Sequence, residues 1–334
     1  QKTAYEIMPS LVGSEMCIRD STYTSGPSAV GASAASSDNT FHLLTGDWKQ
    51  AAVVLHTYKG KSWTSEPIVT GVYAADTAIA LDSKGKPHIA FQDWCTGTVY
   101  YGFYDSRGWV VEKVALGVWT ESPKVAIALD PKGNPAVAYA SGKRILYAAK
   151  RKDVWETTDP GSADTNGKGL ALFFNKDRNP VILYSQDGGL ECVWLDGSAW
   201  SSHTYDAGSA CHALAAVTNE NRLYCFYSLD GVGLRLLTAD MSNPANHDID
   251  TVSFGVSAEQ IAASFDPSTG KPFVSYFSQD QMSLFFVDSS GGTWATELVE
   301  EGIFTTGMAM LCDQNGKKHI FYSATGDIVH VRQP

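Results

Sequence analysis

Tryptophan recurs along this chain at a nearly constant interval. Intervals of 46, 46 and 45 residues separate the first four of the series, which are Trp63, Trp109, Trp155 and Trp200. Trp294 follows after 94 residues, twice 47, so one copy of the pattern has lost its tryptophan. A period in the forties, with short alternating apolar runs inside it, predicts small antiparallel sheets that bury their faces by stacking on one another. The repeat constrains the fold more than the function, because one scaffold can carry many activities.

A second series of positions gives the number of copies. In each copy a short apolar strand rich in small residues ends at a residue that opens a turn: Asp38, Asp82, Asp130, Asn175, Thr218, Asp266 and Asp313. Successive members are 44, 48, 45, 43, 48 and 47 residues apart. The sequence therefore predicts seven copies.

Each copy predicts four strands. A turn rich in Asp, Asn, Gly and Pro joins the small-residue strand (A) to a more aromatic strand (B), as in a hairpin. Strand C follows a polar turn, and the recurring tryptophan introduces a more polar strand D. Four antiparallel strands per repeat form a propeller blade, so we expect an all-β, seven-bladed β-propeller. The regular tryptophans are interpreted as wedges between blades, because a residue that recurs in the copies is expected to serve the packing that the copies have in common.

The last copy ends after strand C, and an N-terminal segment is expected to complete it. Residues about 20 to 26 run parallel to the strand D sequence of other copies, and pairing there would close the ring and remove an open sheet edge. We treat residues 1–19 as an extension outside the repeat and 20–334 as one domain. The expected blades span about residues 29–72, 73–120, 121–165, 166–208, 209–256, 257–303 and 304–334 with 20–26.

Charge and hydropathy exclude two classes of partner. The chain has 334 residues and a net charge of −11, with no run of Lys or Arg, which argues against nucleic-acid binding. It also lacks an apolar stretch long enough to span a bilayer, so we expect a soluble protein without membrane insertion. Neither localisation nor oligomeric state is determined by the sequence.

No motif indicates a metal site or a cofactor, and we predict neither. The six cysteines form no CxxC pair, which argues against structural zinc. Four of them lie in or beside predicted strands and are interpreted as buried free thiols: Cys192, Cys211, Cys225 and Cys312. The histidines show no ligand-like spacing.

Successive turns of a propeller alternate between its two faces, and only one of these faces varies among the copies. The B-to-C turns and the D-to-A connections share that face, called here the variable face. An asymmetric site would be built there, because loops that differ on a constant scaffold carry function. The B-to-C turns contribute Asp47, Trp48, Gln92, Asp93, Trp94, Asp187, Asp230, Asp280 and Asp327. The connections contribute Tyr73, Asp76, Trp119, Glu121, His212, Glu259, Gln260 and Phe304.

Trp94 and Trp119 are the leading ligand-binding candidates because they fall outside the repeated tryptophan position, so packing common to the blades does not account for them. A polar and aromatic set on the same face is expected to complete the binding site: Gln92, Asp93, Tyr73, Asp187, Asp230 and Asp280. Aspartates in such turns also bond their own backbone, which is the structural alternative for each of them.

An enzyme is a second hypothesis, with one active site at the mouth of the central channel. No GxSxG elbow indicates a serine hydrolase, and strands A contain no Arg to hold a sialidase substrate. Paired carboxylates for glycoside hydrolysis are available, and the catalytic candidates are Asp93, Glu121, His212 and Glu259.

The fourth and fifth copies resemble a known family. GGLECVWLDGSAW and SACHALAAVTNENRLYCFYSLDG are similar to the repeats of fungal fucose-binding propeller lectins, over about two blades. The resemblance implies sugar held between blades by an Arg and a Glu of one blade and an aromatic residue of the next, with Arg222 and Glu191 matching parts of that pattern. ALDSKGKPHIAF and ALDPKGNPAVAY resemble bacterial-type propeller repeats of unassigned function.

We expect a carbohydrate-binding propeller in which aromatic side chains stack on sugar faces and acidic or amide groups bond hydroxyls. The ligand would be a glycan or another small molecule. Two alternatives stay open: an enzyme of the hydrolase, lyase or isomerase type, and a protein-interaction propeller.

Overall fold

The computed structural model describes residues 18–23, 29–37, 40–59, 62–161, 164–289, 291–324 and 327–332. Within these ranges the chain is all-β, with 28 strands in seven sheets of four antiparallel strands each. The prediction of a seven-bladed β-propeller is confirmed.

Each sheet is one blade, and its strand order runs outward from the centre. The innermost strands are β2 (Ala29–Ser37), β6 (Ala74–Leu81), β10 (Val125–Leu129), β14 (Leu170–Phe174), β18 (Cys211–Asn219), β22 (Gln260–Asp266) and β26 (Met308–Cys312). The second strands are β3 (Thr40–Asp47), β7 (Pro87–Asp93), β11 (Pro135–Ser141), β15 (Pro180–Gln186), β19 (Arg222–Leu229), β23 (Lys271–Ser278) and β27 (Lys318–Ala324).

The third strands are β4 (Ala52–Lys59), β8 (Thr98–Asp105), β12 (Arg144–Arg151), β16 (Gly189–Asp196), β20 (Gly233–Asp240), β24 (Ser283–Asp288) and β28 (Asp327–Arg332). The outermost strands are β5 (Ser62–Thr70), β9 (Gly108–Leu116), β13 (Val154–Thr158), β17 (Ala199–Tyr205), β21 (Asn243–Phe254), β25 (Ala295–Glu301) and β1 (Ile18–Tyr23). Blades 1 to 7 are numbered in the chain order of their innermost strands.

The innermost strands contact one another in a closed ring, since β2 lies against both β6 and β26. The expected closing strand is present: β1 pairs antiparallel with β28 and is the outer strand of blade 7. It begins at Ile18, earlier than the boundary expected at residue 20. The last part of the expected segment, 24–26, lies outside the described residues, as does Asp38 of the turn series.

The turn series owes its Asp and Asn to one hydrogen-bonding arrangement. In blade 2, Oδ1 of Asp82 accepts the amides of Lys84 and Lys86, both at 2.8 Å. Asp130, Asn175 and Asp313 make the equivalent pair of bonds in their own blades. A short side-chain acceptor at this position therefore fixes the A-to-B turn.

The hydrophobic core is divided among the blade junctions. Seven clusters of buried apolar residues each draw their members from two adjacent blades, and together they cover the seven junctions. The recurring tryptophans belong to these clusters. Trp155 of blade 3 meets Tyr101 of blade 2 edge to face at 5.3 Å, and Trp200 of blade 4 meets Tyr147 of blade 3 at 5.6 Å. The interpretation of the regular tryptophans as wedges between blades is confirmed.

Blade 5 is the copy without the tryptophan. There β21 packs against blade 4 through His247, whose ring lies 4.8 Å from Tyr205, and the Tyr205 hydroxyl donates to the carbonyl of Pro244 at 2.7 Å. The same junction buries three free thiols, those of Cys192, Cys211 and Cys225.

Candidate functional site

On the variable face, B-to-C turns are hydrogen-bonded to the connection that enters the same blade. The amide of Trp94, in the B-to-C turn of blade 2, donates to the carbonyl of Tyr73 in the connection before that blade, at 2.8 Å. In the next blade the amide of Gly142 donates to the carbonyl of Val118 at 3.2 Å. In these two blades the turn and the connection of the variable face are therefore held together by a backbone hydrogen bond.

Four aromatic side chains of blades 1 to 3 form one contiguous group on this face, called here the aromatic ridge: Trp48, Tyr73, Trp94 and Trp119. The ring of Trp48 lies 5.9 Å from that of Trp94 and 6.3 Å from that of Tyr73, and Trp94 meets Trp119 edge to face at 5.9 Å. The Nε1 of Trp48 donates to the carbonyl of Ala74 at 2.8 Å, which anchors one end of the ridge. The two tryptophans singled out from the sequence are thus in contact.

The ridge ends in an indole that solvent can reach. Trp119 is 49% exposed and Tyr73 41%, whereas Trp48 and Trp94 are half-buried beneath them. The loop that carries Trp119 is held close to the B-to-C turn of blade 2 by two glycines. A Cβ on Gly117 would lie 2.3 Å from the carbonyl oxygen of Gly97, and Gly97 has a φ of +69°. Glycine is required there because the two backbones touch.

Trp119 also borders a groove between blades 3 and 4, with a volume of about 630 Å³. The polar side chains that line this Trp119 groove come from four loops and include Glu121, Lys143, Asp164, Asn166 and Asp187. Two of the predicted site residues, Glu121 and Asp187, therefore share one cavity with Trp119.

Hydrogen bonds hold one wall of the groove. Asn166 accepts the hydroxyl of Ser185 at 2.7 Å and donates to the carbonyl of Cys211 at 2.9 Å and to Asp187 at 3.3 Å. Over the described part of the chain, no hydrogen bond or ion pair engages the side chains of Glu121, Asp164 or Lys143. Together with Asp187, the described lining of the groove has three exposed carboxylates and one ammonium.

Two predicted ligand-binding residues point into the protein instead. Gln92 is fully buried, and its Nε2 donates to the carbonyls of Ala140 (2.8 Å) and Gly97 (3.2 Å). Asp93 is also buried and accepts the hydroxyl of Thr96 at 2.6 Å and the amide of Tyr73 at 3.2 Å. Gln92 therefore joins blade 2 to blade 3, and Asp93 fixes the turn that carries Trp94. The expectation that these two side chains contact a ligand does not fit their burial.

The remaining candidates lie on other blades of the variable face. Asp230 is exposed, with its Oδ1 3.9 Å from Nε2 of His212, and Asp280 is exposed on the turn of blade 6. Glu259 accepts the amide of Gln279 at 2.8 Å and the hydroxyl of Ser257 at 3.1 Å.

The four catalytic candidates are not brought together. Within the described ranges no hydrogen bond or ion pair joins any two of the side chains of Asp93, Glu121, His212 and Glu259. The sequence identified the face on which they lie but not a constellation among them.

A second, smaller cavity of about 330 Å³ lies where the innermost strands meet. Four charged residues line it: Asp76, Lys124, Lys168 and Glu259. Asp76 lies 3.4 Å from Nζ of Lys124 and accepts the amide of Val125 at 2.9 Å. Burial raises the pKa of the Asp76 carboxyl, and the neighbouring Lys124 ammonium partly opposes that rise.

Sequence reasoning missed Lys124 and Lys168. The available signal was their position, since each directly precedes or nearly precedes an innermost strand, in SPKVAIAL and NGKGLAL. A lysine at the entrance of a strand lined with small residues has room to reach the channel.

The two residues carried over from the lectin resemblance do not form one site. Glu191 is buried and accepts from Gln186 Nε2 at 3.1 Å and from Thr204 Oγ1 at 2.5 Å. It lies near the variable-face end of β16, whereas Arg222 begins β19 at the opposite face. A strand of eight residues spans about 26 Å, so Glu191 and Arg222 cannot hold one sugar between them.

The described ranges contain no group of three or more His, Cys, Asp or Glu side chains placed to bind a metal ion. They also contain no helix with the length and apolar character needed to cross a membrane.

Comparison with known proteins gives the fold but no family. No family model and no curated protein matches the chain. Similar solved structures include AofleA from Arthrobotrys oligospora, with a TM-score of 0.53 and 12% identity over 76% of this chain and 81% of that one. YCF48 from Cyanidioschyzon merolae has a TM-score of 0.58 and 12% identity over 93% and 97% of the two chains. The periplasmic gluconolactonase PpgL from Pseudomonas aeruginosa has a TM-score of 0.55 and 15% identity over 84% and 86%. At these identities the likeness shows the fold alone: the chain is a seven-bladed β-propeller.

Proposed function

We propose that this protein binds carbohydrate in the Trp119 groove, with the Trp119 indole as the stacking platform. The observation that carries the proposal is the meeting of a half-exposed tryptophan, braced by Trp94 at 5.9 Å, with a groove lined by carboxylates and an amide. Ligand sites combine apolar or aromatic surface with a few placed polar groups in this way.

The aromatic part of the site supplies affinity at low entropic cost. Trp94 lies between Trp48 and Trp119, so the exposed ring is supported from below before a ligand arrives. A side chain that is already ordered loses little freedom on binding, and preorganised contacts therefore contribute more of their energy to affinity. A flat indole face suits the C–H face of a pyranose ring.

The polar part suits sugar hydroxyls. Asp187 and Asn166 present acceptors and donors from a wall fixed by hydrogen bonds, and Glu121 faces the same space from the loop that carries Trp119. The volume of about 630 Å³ falls in the range of small-molecule sites and accommodates a short oligosaccharide.

Replacement of Trp119 by alanine tests the proposal. A glycan array with the purified protein identifies binders. Calorimetric titration of the best binder with Trp119→Ala is expected to show affinity reduced at least roughly fivefold, since truncation of an aromatic anchor in a binding site costs about 1 kcal/mol or more. The matched control is Tyr104→Ala, which removes an aromatic side chain of similar exposure, 47%, from the opposite face. No array signal above background, or equal affinities of Trp119→Ala and the unmodified protein, would contradict carbohydrate binding in this groove.

A second candidate is an enzyme whose active site is the central cavity, and the Asp76–Lys124 pair favours it. A buried carboxyl with a raised pKa beside a lysine in a cavity is a common feature of catalytic sites. PpgL, named as a gluconolactonase, shares the fold, and so a lactone and ester panel is a natural assay. If the cavity is catalytic, Asp76→Asn lowers kcat by roughly 100-fold or more, the usual range for a lost general acid or base. Unchanged turnover in Asp76→Asn would exclude this carboxyl as the catalytic group.

A further inference from the structure

We infer that the Trp119 groove selects oligosaccharides whose sugars carry free amino groups. This inference rests on the proposed carbohydrate binding and adds the chemical class of the ligand. It is carried by the placement of the groove's charges around the exposed indole.

The carboxylates reach the groove from separate loops. Glu121 belongs to the connection that enters blade 3, Asp164 to the connection that enters blade 4, and Asp187 to the B-to-C turn of blade 4. A ligand cation lying along the groove is therefore near a carboxylate at more than one point of its length. Lys143 is the one cationic side chain of the described groove lining, so the lining has an excess of two negative charges.

Trp119 favours the same ligand class. The face of an indole attracts an ammonium group by its quadrupole as well as accepting the C–H face of a sugar ring. An amino sugar offers both groups at once, whereas a neutral sugar offers only the second. The Trp119 indole and the carboxylates consequently both favour an amino sugar over a neutral sugar.

Acidic glycans are disfavoured by the same arrangement. Recognition of a sugar carboxylate or sulfate commonly uses arginine forks, which bind such groups in a bidentate manner. The described groove lining contains no arginine, and Lys143 faces three carboxylates. A uronic acid would therefore meet net repulsion in the groove.

The test compares tetramers of β-1,4-linked glucosamine and N-acetylglucosamine, together with a uronic acid tetramer. The first two share a backbone and differ at the C2 nitrogen, which is a charged amine in glucosamine and a neutral acetamide in N-acetylglucosamine. Calorimetric titration at slightly acidic pH is expected to show the glucosamine tetramer binding roughly fivefold to twentyfold more tightly than its acetylated form, since each exposed charge pair contributes little alone. The uronic tetramer should bind most weakly. The preference should fall as ionic strength rises from about 0.01 M to about 1 M, where the Debye length shortens from about 30 Å to about 3 Å.

A variant with neutral side chains in place of the groove carboxylates tests whether these carboxylates cause the preference for the glucosamine tetramer. The triple variant Glu121→Gln, Asp164→Asn, Asp187→Asn keeps the volumes of these side chains and is expected to bind the two tetramers with affinities within roughly twofold, because the Coulombic difference is removed. Asp177→Asn, which neutralises an exposed carboxylate in the A-to-B turn of blade 4 on the opposite face, is the matched control and should keep the preference of the unmodified protein. If the triple variant does not fold, the amino-sugar inference is tested by the salt dependence of the preference that the unmodified protein shows for the glucosamine tetramer.

The outcomes separate the two proposals. Equal affinity of the unmodified protein for both glucosamine-based tetramers, or a preference that salt does not weaken, overturns the amino-sugar inference and leaves carbohydrate binding standing. Tighter binding of the uronic tetramer overturns it as well. Absence of binding by any glycan overturns both.

Discussion

At the scale of single residues, the tryptophans of this molecule fall into two classes with different environments. Trp155, a member of the regular series, packs between blades, meets Tyr101 at 5.3 Å and donates from Nε1 to Glu112 at 3.3 Å. Trp119, outside the series, is half exposed at the border of a groove. The regular position of Trp155 therefore goes with a role in the scaffold, whereas Trp119 belongs to the proposed site.

This division predicts that alanine substitutions at the two positions differ in their effect on stability. Trp155→Ala removes a wedge from a blade junction and should lower the free energy of unfolding by about 2–3 kcal/mol, somewhat below the usual cost for a fully buried tryptophan. Trp155→Phe keeps much of the packing and should cost about 1 kcal/mol for the lost hydrogen bond. Trp119→Ala should change the unfolding free energy by less than about 0.5 kcal/mol, as surface substitutions usually do. Denaturant unfolding monitored by circular dichroism measures the three values, and an equal loss in Trp155→Ala and Trp119→Ala would refute the division.

At the scale of elements, the sequence determines the strands better than it determines the direction of loop side chains. The turn series locates the A-to-B hairpins because one local bonding pattern, seen at Asp82 and Asp130, requires Asp or Asn there. Gln92 and Asp93 show the limit of such reasoning. Both lie on the expected face, yet Gln92 points toward blade 3 and Asp93 toward its own turn. A sequence position specifies the loop, whereas the direction of a side chain depends on the neighbouring blade.

The candidate site could be predicted only in part for the same reason. Trp94 and Trp119 stand out in the sequence because they break the period, but the contact of Trp94 with Trp48 joins residues 46 positions apart. The groove could not be derived at all, because its walls come from loops of different blades and its shape depends on how those blades pack. The polar members Glu121 and Asp187 were named separately, without a signal that they share one cavity.

At the scale of the whole molecule, the ring closes where the two ends of the chain meet. β1 completes blade 7 and covers the edge of β28, so the last sheet is built from both ends of the described chain. The junction between blades 7 and 1 buries Phe41 and Leu43 of the first blade against Leu311 and Phe321 of the last. Ring closure thus combines the pairing of β1 with β28 and the packing at this seam between blades 7 and 1.

Buried histidines are concentrated beside this seam. His319 and His330 of blade 7 share a hydrogen bond of 2.9 Å between Nδ1 and Nε2, and the ring of His319 lies 4.6 Å from Phe41 of blade 1. His56 of blade 1 bonds Thr45 at 3.0 Å and Ser65 at 2.8 Å. The bond between the two imidazoles needs one donor and one acceptor nitrogen, so it does not survive protonation of both rings.

The charges around these rings favour the neutral forms on balance. Burial lowers the pKa of His330 to about 3, with the His319 and Arg332 charges acting in the same direction. Burial also lowers the pKa of His56 to about 4, against an opposing effect of Asp47. The pKa of His319 is lowered by burial too, although Asp313, 3.7 Å away, acts to raise it. In the unfolded chain a histidine titrates at about 6.5, so the unfolded form binds more protons as pH falls below that value.

The propeller should therefore lose stability on mild acidification. Because the pKa values of the folded state are lowered, the free energy of unfolding is highest above about pH 6.5 and falls as pH decreases toward the folded values, by up to about 1.4 kcal/mol per pH unit for each histidine. Between about pH 6.5 and 5.5 carboxyl groups with ordinary pKa values stay almost fully ionised, so the slope there comes mainly from the histidines, and the raised pKa of the Asp76 carboxyl opposes it. Denaturant titrations across that range measure it, and His330→Gln should reduce the slope whatever it does to stability at neutral pH. Tyr58→Phe, a variant beside the same seam that removes no imidazole, should keep the full slope. An identical slope in His330→Gln and the unmodified protein would show that proton uptake by His330 does not contribute to the acid sensitivity of the ring.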